Sequence, residues 1–207
     1  MAKTILFFGD SVTDTGRERN NLDSLGHGYV HHVSQAFTNV RIINKGISGN
    51  RSYDLLDRLD EDVIGLSPDI LFVMIGINDV WHKHQWNVPS STDEYEKNMD
   101  TLVRRVKNAL SGVTIVFLSP FLLPTGVHTD PIRRDLDTEI AILDSLSKTH
   151  DIPFIPVDGI LNNLLETMPV EDIAADGVHP TDKGHQMIAN EIIRFMETSD
   201  LLERTRS

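Results

Sequence analysis

Ser11 and His179 are the side chains whose pairing would do chemistry: a hydroxyl that can attack and an imidazole that can take its proton. Ser11 stands in Gly9-Asp10-Ser11-Val12-Thr13-Asp14, and His179 in Asp176-Gly177-Val178-His179-Pro180-Thr181. A serine hydroxyl is a weak nucleophile and needs a base. Asp176, three residues before His179, can accept from the ring Nδ1–H in a tight turn and fix the tautomer. Pro180 and Thr181 read as a helix start, whose positive end favours the neutral ring that a general base needs. Two more blocks, Gly46-Ile47-Ser48-Gly49-Asn50 and Gly76-Ile77-Asn78-Asp79, supply oxyanion donors: the unobstructed Gly49 N–H and the Asn78 amide, with the Ser11 N–H as a third. Alone, each block has a plainer reading as a turn or a cap. Four of them in 207 residues make acyl transfer the better account.

These residues need a frame that brings distant segments together. Apolar runs at 4–8, 40–44, 69–75, 113–118 and 153–157 do not alternate with polar residues, the pattern of strands covered on both faces. Helical spacing separates them at 29–37, 53–66, 92–110, 130–150 and 181–196. Alternating strands and helices predict an α/β fold, a three-layer α/β/α sandwich on a five-stranded, mainly parallel sheet. Ligands in such sheets bind beyond the carboxyl ends of the strands, where Ser11, Gly49 and Asn78 fall. Residues 80–91 and 120–129 read as irregular loops walling a pocket at that edge. No linker or repeat divides the chain, so residues 1–207 are expected to form one domain.

Composition narrows the partners. There are 19 Lys and Arg against 31 Asp and Glu, a net charge of −12. Such a surface repels nucleic acid and anionic membrane, and a neutral substrate suits it better. There is no cysteine, which excludes disulfides, thiolate metal sites and a cysteine nucleophile. The apolar run at 4–8 is too short for a signal-peptide core, and no run reaches the length of a membrane span. A cytoplasmic location is the expectation.

With these blocks the sequence resembles the SGNH hydrolases, the GDSL esterase family named for Ser, Gly, Asn and His in four blocks. The matching residues are Ser11, Gly49, Asn78 and His179, with Asp176 in the D-x-x-H spacing, and the likeness runs from Leu6 to about Phe195. It implies a flavodoxin-like α/β/α domain and ester hydrolysis through an acyl-enzyme on Ser11, without a metal or organic cofactor. The segments Gly26-His27-Gly28-Tyr29-Val30, Asn44-Lys45-Gly46-Ile47-Ser48-Gly49-Asn50, Gly76-Ile77-Asn78-Asp79-Val80-Trp81 and Asp130-Pro131-Ile132-Arg133-Arg134 resemble the bacterial intracellular acetylxylan esterases of that family. That likeness implies acetyl removal from xylo-oligosaccharides and a homo-oligomer.

Several residues carry two readings. Asp10, Trp81 and Trp86 are assigned to the substrate pocket, although Trp86 reads more readily as a loop anchor filling the core. His82 and His84 have an H-x-H look but no third ligand at a useful spacing, so they read as surface histidines. His31 and His32 receive no role. Arg133 and Arg134 read as solvated or salt-bridged, with an acidic partner or neighbouring subunit as the alternative. Asp14 and Arg17 fit either substrate binding or loop stabilisation. Three other functions remain: a broader short-chain acylhydrolase or thioesterase, a metallophosphoesterase, and an inactive carbohydrate-binding protein.

Overall fold

A computed structural model describes residues 2–199 and 201–202. Five strands, β1 (Thr4–Gly9), β2 (Arg41–Gly46), β3 (Ile70–Met74), β4 (Thr114–Leu118) and β5 (Phe154–Ile155), form one parallel sheet in the order β2-β1-β3-β4-β5. Successive side chains point to opposite faces. Ile5, Phe7, Ile70, Phe72, Val116 and Leu118 therefore enter one core. Leu6, Phe8, Leu71, Val73, Ile115 and Phe117 enter the other. Both faces are apolar because both are covered.

The helices are α1 (Ser11–Asp14), α2 (Tyr29–Ala36), α3 (Ser52–Asp57), α4 (Leu59–Asp62), α5 (Ile77–Trp86), α6 (Thr92–Ala109), α7 (Asp130–His150), α8 (Val157–Leu164), α9 (Glu171–Ala174) and α10 (Asp182–Thr198). Side chains of α2, α8 and α10 cover the first face. Those of α3, α4, α6 and α7 cover the second. The expected three-layer sandwich is the observed one.

Three local expectations need correction. The single helix over 53–66 is broken into α3, α4 and a 3₁₀ turn at Ile64–Leu66. The break falls at Arg58, whose guanidinium reaches inward to the Gly9 and Lys45 carbonyls, Asn50 and Asp62. Those bonds hold the chain at a non-helical φ of −106° and ψ of 9°. Residues 80–86, expected to be irregular, belong to α5, whose Ile77, Val80 and Trp81 pack on a third apolar cluster with Leu122, Ile132, Leu136 and Val178. Strand β5 is two residues long because Pro153 and Pro156, which have no N–H, flank it.

Candidate active site

The register of the sheet sets the geometry. Gly9 at the end of β1 pairs with Gly46 of β2 and with Met74 of β3. The three strands thus end level, and Ser11, Gly49 and Asn78 follow two, three and four residues later. Ser11 opens α1. The Asp10 carboxylate caps that short helix by accepting from the Val12 N–H at 3.0 Å.

His179 arrives from the other end of the chain, two residues before the Thr181 cap of α10. Its turn is shaped by Gly177, at φ +84°, where a Cβ would lie 2.6 Å from the Thr125 carbonyl and 2.8 Å from that of Leu123. Glycine alone lets the two loops close. Hydrogen bonds from the Leu123 N–H to the Gly177 carbonyl and from the Val127 N–H to that of Asp176 then hold them together.

The turn delivers the His179 ring to the serine, with Ser11 Oγ and His179 Nε2 3.1 Å apart. Nδ1 lies 2.7 Å from Asp176 Oδ2, and Asp176 Oδ1 accepts the Val178 and His179 N–H groups. With Nδ1–H donating to the carboxylate, Nε2 is left to accept the serine proton. Burial works against the Asp176 charge, but the three donors outweigh it and hold its pKa below the usual value.

The two middle blocks meet as well. Asn78 Nδ2 donates to the Asn50 carbonyl at 3.0 Å, which ties the Gly49 turn to the start of α5 and uses one of the two amide N–H bonds. Gly49 is exposed at φ +83°, and nothing stands within 4 Å of where its Cβ would be. Among the described residues its N–H has no partner.

The remaining candidates separate. Asp10 is 1% exposed, so it caps α1 from within rather than lining open surface. Trp81 is half-buried with its ring 6.0 Å from that of His179. Trp86 is no core anchor. It is 56% exposed, because α5 continues to its position and turns it away from the sheet. His84 and Lys83 pair with Asp135, and His82 lies against Trp86. His32 pairs with Asp182. Arg133 bonds Asp158 and Asp137, while Arg134 is exposed. Asp14 accepts from Ser48 and Arg19, and Arg17 donates to the Gly46 carbonyl, so both brace the loops. Among the described residues no group of three or more His, Asp or Glu is placed to hold a metal ion, and no helix is long and apolar enough to cross a membrane.

Sequence reasoning gave no role to Ser52, whose N–H and hydroxyl both bond the buried Asp79 beside Asn78, or to Glu139, buried beneath the start of α5. Ser52 precedes the helix expected at 53–66, and the spacing of the helix that holds Glu139 gives only its inward face.

The profile of the GDSL-like lipase/acylhydrolase family matches residues 7–187. The chain belongs to that family. An acetylxylan esterase of Geobacillus stearothermophilus is 35% identical over 92% of each chain. The crystal structure of Axe2, an acetylxylan esterase from Geobacillus stearothermophilus, superposes with a TM-score of 0.83 at 34% identity over 93% of both chains. LAE5, an α/β hydrolase enzyme from the metagenome of Lake Arreo, Spain, superposes with the same score at 30% identity over 98% of both. These relatives span nearly the full length of the chain and share its parallel sheet and flanking helices.

Proposed function

We propose that the chain is a serine esterase that removes acetyl groups from acetylated xylo-oligosaccharides. The observation that carries the reading is the Ser11–His179–Asp176 relay, its two contacts at 3.1 and 2.7 Å. In this reading His179 takes the proton as Ser11 Oγ attacks the ester carbonyl. The N–H groups of Ser11 and Gly49 and the second N–H of the Asn78 amide hold the oxyanion. His179 then passes the proton to the departing sugar alkoxide, and the same ring activates water to release acetate and restore Ser11.

A long acyl chain does not fit the surroundings. The interior between Asp10 and Val12, which flank Ser11, and Met74, Ile77, Phe121 and Val178 is too tight to admit a water molecule, so an alkyl chain has no path inward there. The family also spans lipases and other acylhydrolases, so a wider short-chain ester range is the second reading. Both sides of the sheet close on one frame, which supports a single domain. A cysteine-free composition supports the cytoplasm, and a homo-oligomer remains part of the proposal through the likeness to acetylxylan esterases.

The test sets acetylated xylo-oligosaccharides beside butyrate and octanoate esters of one chromogenic alcohol. Acetate release from the sugar with the octanoate untouched is the expected result. Ser11→Ala is expected to lower kcat by about 10⁴- to 10⁶-fold with the fold retained. Undiminished turnover in that variant ends the serine mechanism.

A further inference from the structure

We propose that Trp81 and Trp86 form an aromatic platform that seats the sugar rings of the substrate, running outward along α5 from His179. The inference rests on the esterase reading above and adds which surface holds the departing sugar. The alkoxide must take its proton from His179 Nε2, so the sugar bearing it lies beside that ring. Trp81 is the aromatic at that place, its ring set edge to face against His179 at 6.0 Å. Trp86 stacks on Trp81, the ring centroids 6.0 Å apart and the planes 23° apart, and lies 4.6 Å from the ring of His82, so the outer indole extends the aromatic group towards solvent.

The rings are set before a ligand arrives. Trp81 Nε1–H donates to Gln85 Oε1, one turn along the same helix. Trp86 is the last residue of α5, and the next residue, Asn87, turns back at φ +53° to donate its N–H to the His82 carbonyl. Trp86 is nevertheless the most exposed large apolar side chain among the described residues. An indole left in water forgoes the stabilisation of burial, and its apolar face with a polar edge suits a ligand of the same kind. A neutral pyranose has that character, with C–H bonds on its faces and hydroxyls round its rim. A preset platform also spares the ordering cost of binding.

The test compares acetylated xylotriose with p-nitrophenyl acetate, an ester without a sugar, in the wild type, Trp86→Ala and Trp86→Phe. In Trp86→Ala the ratio of KM for the trisaccharide to KM for p-nitrophenyl acetate is expected to rise about tenfold, the scale of a buried tryptophan contact. The kcat on the trisaccharide should change less than KM, because a binding contact distant from the reacting bond is lost. Trp86→Phe should recover most of the ratio. An unmoved ratio in an enzyme that deacetylates the trisaccharide overturns the platform alone, as does an altered oligomeric state with unmoved KM, which would assign the surface to a second copy. A wild type that turns over p-nitrophenyl acetate but not the trisaccharide overturns the substrate reading, and the platform with it.

Discussion

Two sets of carboxyl groups stand at the carboxyl edge of the sheet, and they are built in opposite ways. Asp176 lies in a loop at 45% side-chain exposure, and three N–H donors converge on its two oxygens. Asp10, Asp79 and Glu139 lie in the interior at 1–3% exposure. Burial pushes Asp10 up to about 7 and Asp79 up to about 6, against the bonds from Val12 and Ser52 that favour their charged forms. Burial also raises Glu139 well above the usual range, and the nearby Asp79 adds to it. Two things therefore set each group: the depth of burial and the number of donors pointed at it. At the rim, donors win and the carboxylate stays charged to orient an imidazole. In the interior, burial wins.

The two sets also act oppositely on stability. Asp176 has a lowered folded pKa, so its contribution is present above the ordinary carboxylate range and is lost as the pH falls through the folded value. Asp10 and Asp79 contribute fully below their ordinary value of 3.8, and their contribution drains away as the pH rises towards about 7 and about 6.

The widest separation between the sets is expected in catalysis. Asp176→Asn keeps the shape but lets the imidazole adopt the wrong tautomer, so kcat should fall by about 10⁴-fold, while the melting temperature falls only by the lost contribution of the charge. A much smaller loss would mean that Asp176 only shapes the turn. Asn78→Ala tests the wall between the sets, since Asn78 lies next to the buried Asp79. It removes the proposed oxyanion donor and the tie to the Asn50 carbonyl, and should lower kcat by about 10²- to 10³-fold with KM little changed. A rise in KM at constant kcat would place the amide in ground-state binding instead.

The rim set was legible in the sequence and the interior set was not, for physical reasons. Asp176 and His179 are three residues apart, so their bond is a local turn that spacing alone suggests. Strands were legible because cover on both faces leaves unbroken apolar runs such as Ile70–Met74. The level strand ends then made the convergence of Ser11, Gly49 and Asn78 an inference from topology. Helix α5 was hidden because His82, Lys83, His84 and Gln85 form an unbroken polar run, leaving a stripe of Ile77, Val80 and Trp81 too thin to show. Arg58 broke a well-spaced helix through bonds to carbonyls of two different strands, which no local pattern records. Glu139 looks like any charge in a long helix until α7 is seen packed against α5 and α6.

Glu139 gives the smallest expected effect and the one that most sharpens the contrast. Its Oε2 is buried with no hydrogen-bond partner among the described residues, and a Cβ on Gly76 would come within 2.8 Å of it and within 3.1 Å of the Tyr95 hydroxyl. Asp79 and Asp135 oppose its charge, and Lys83 favours it. With the folded pKa above the unfolded one, Glu139 carries no penalty below about pH 4.5, where both states hold the proton. As the pH rises, the unfolded chain ionises the group freely and the folded chain resists, so stability is lost. Glutamine has the same shape and no proton to lose. Glu139→Gln and the wild type should therefore unfold at the same urea concentration near pH 4. At pH 8 the variant should be the more stable by about 1–3 kcal/mol, the scale of a buried polar group freed from an unmet demand. Urea titrations at the two pH values measure this difference. Equal destabilisation at both would mean that the carboxyl makes a bond glutamine cannot replace, and Glu139 would then belong with Asp176, as a carboxyl matched by its donors.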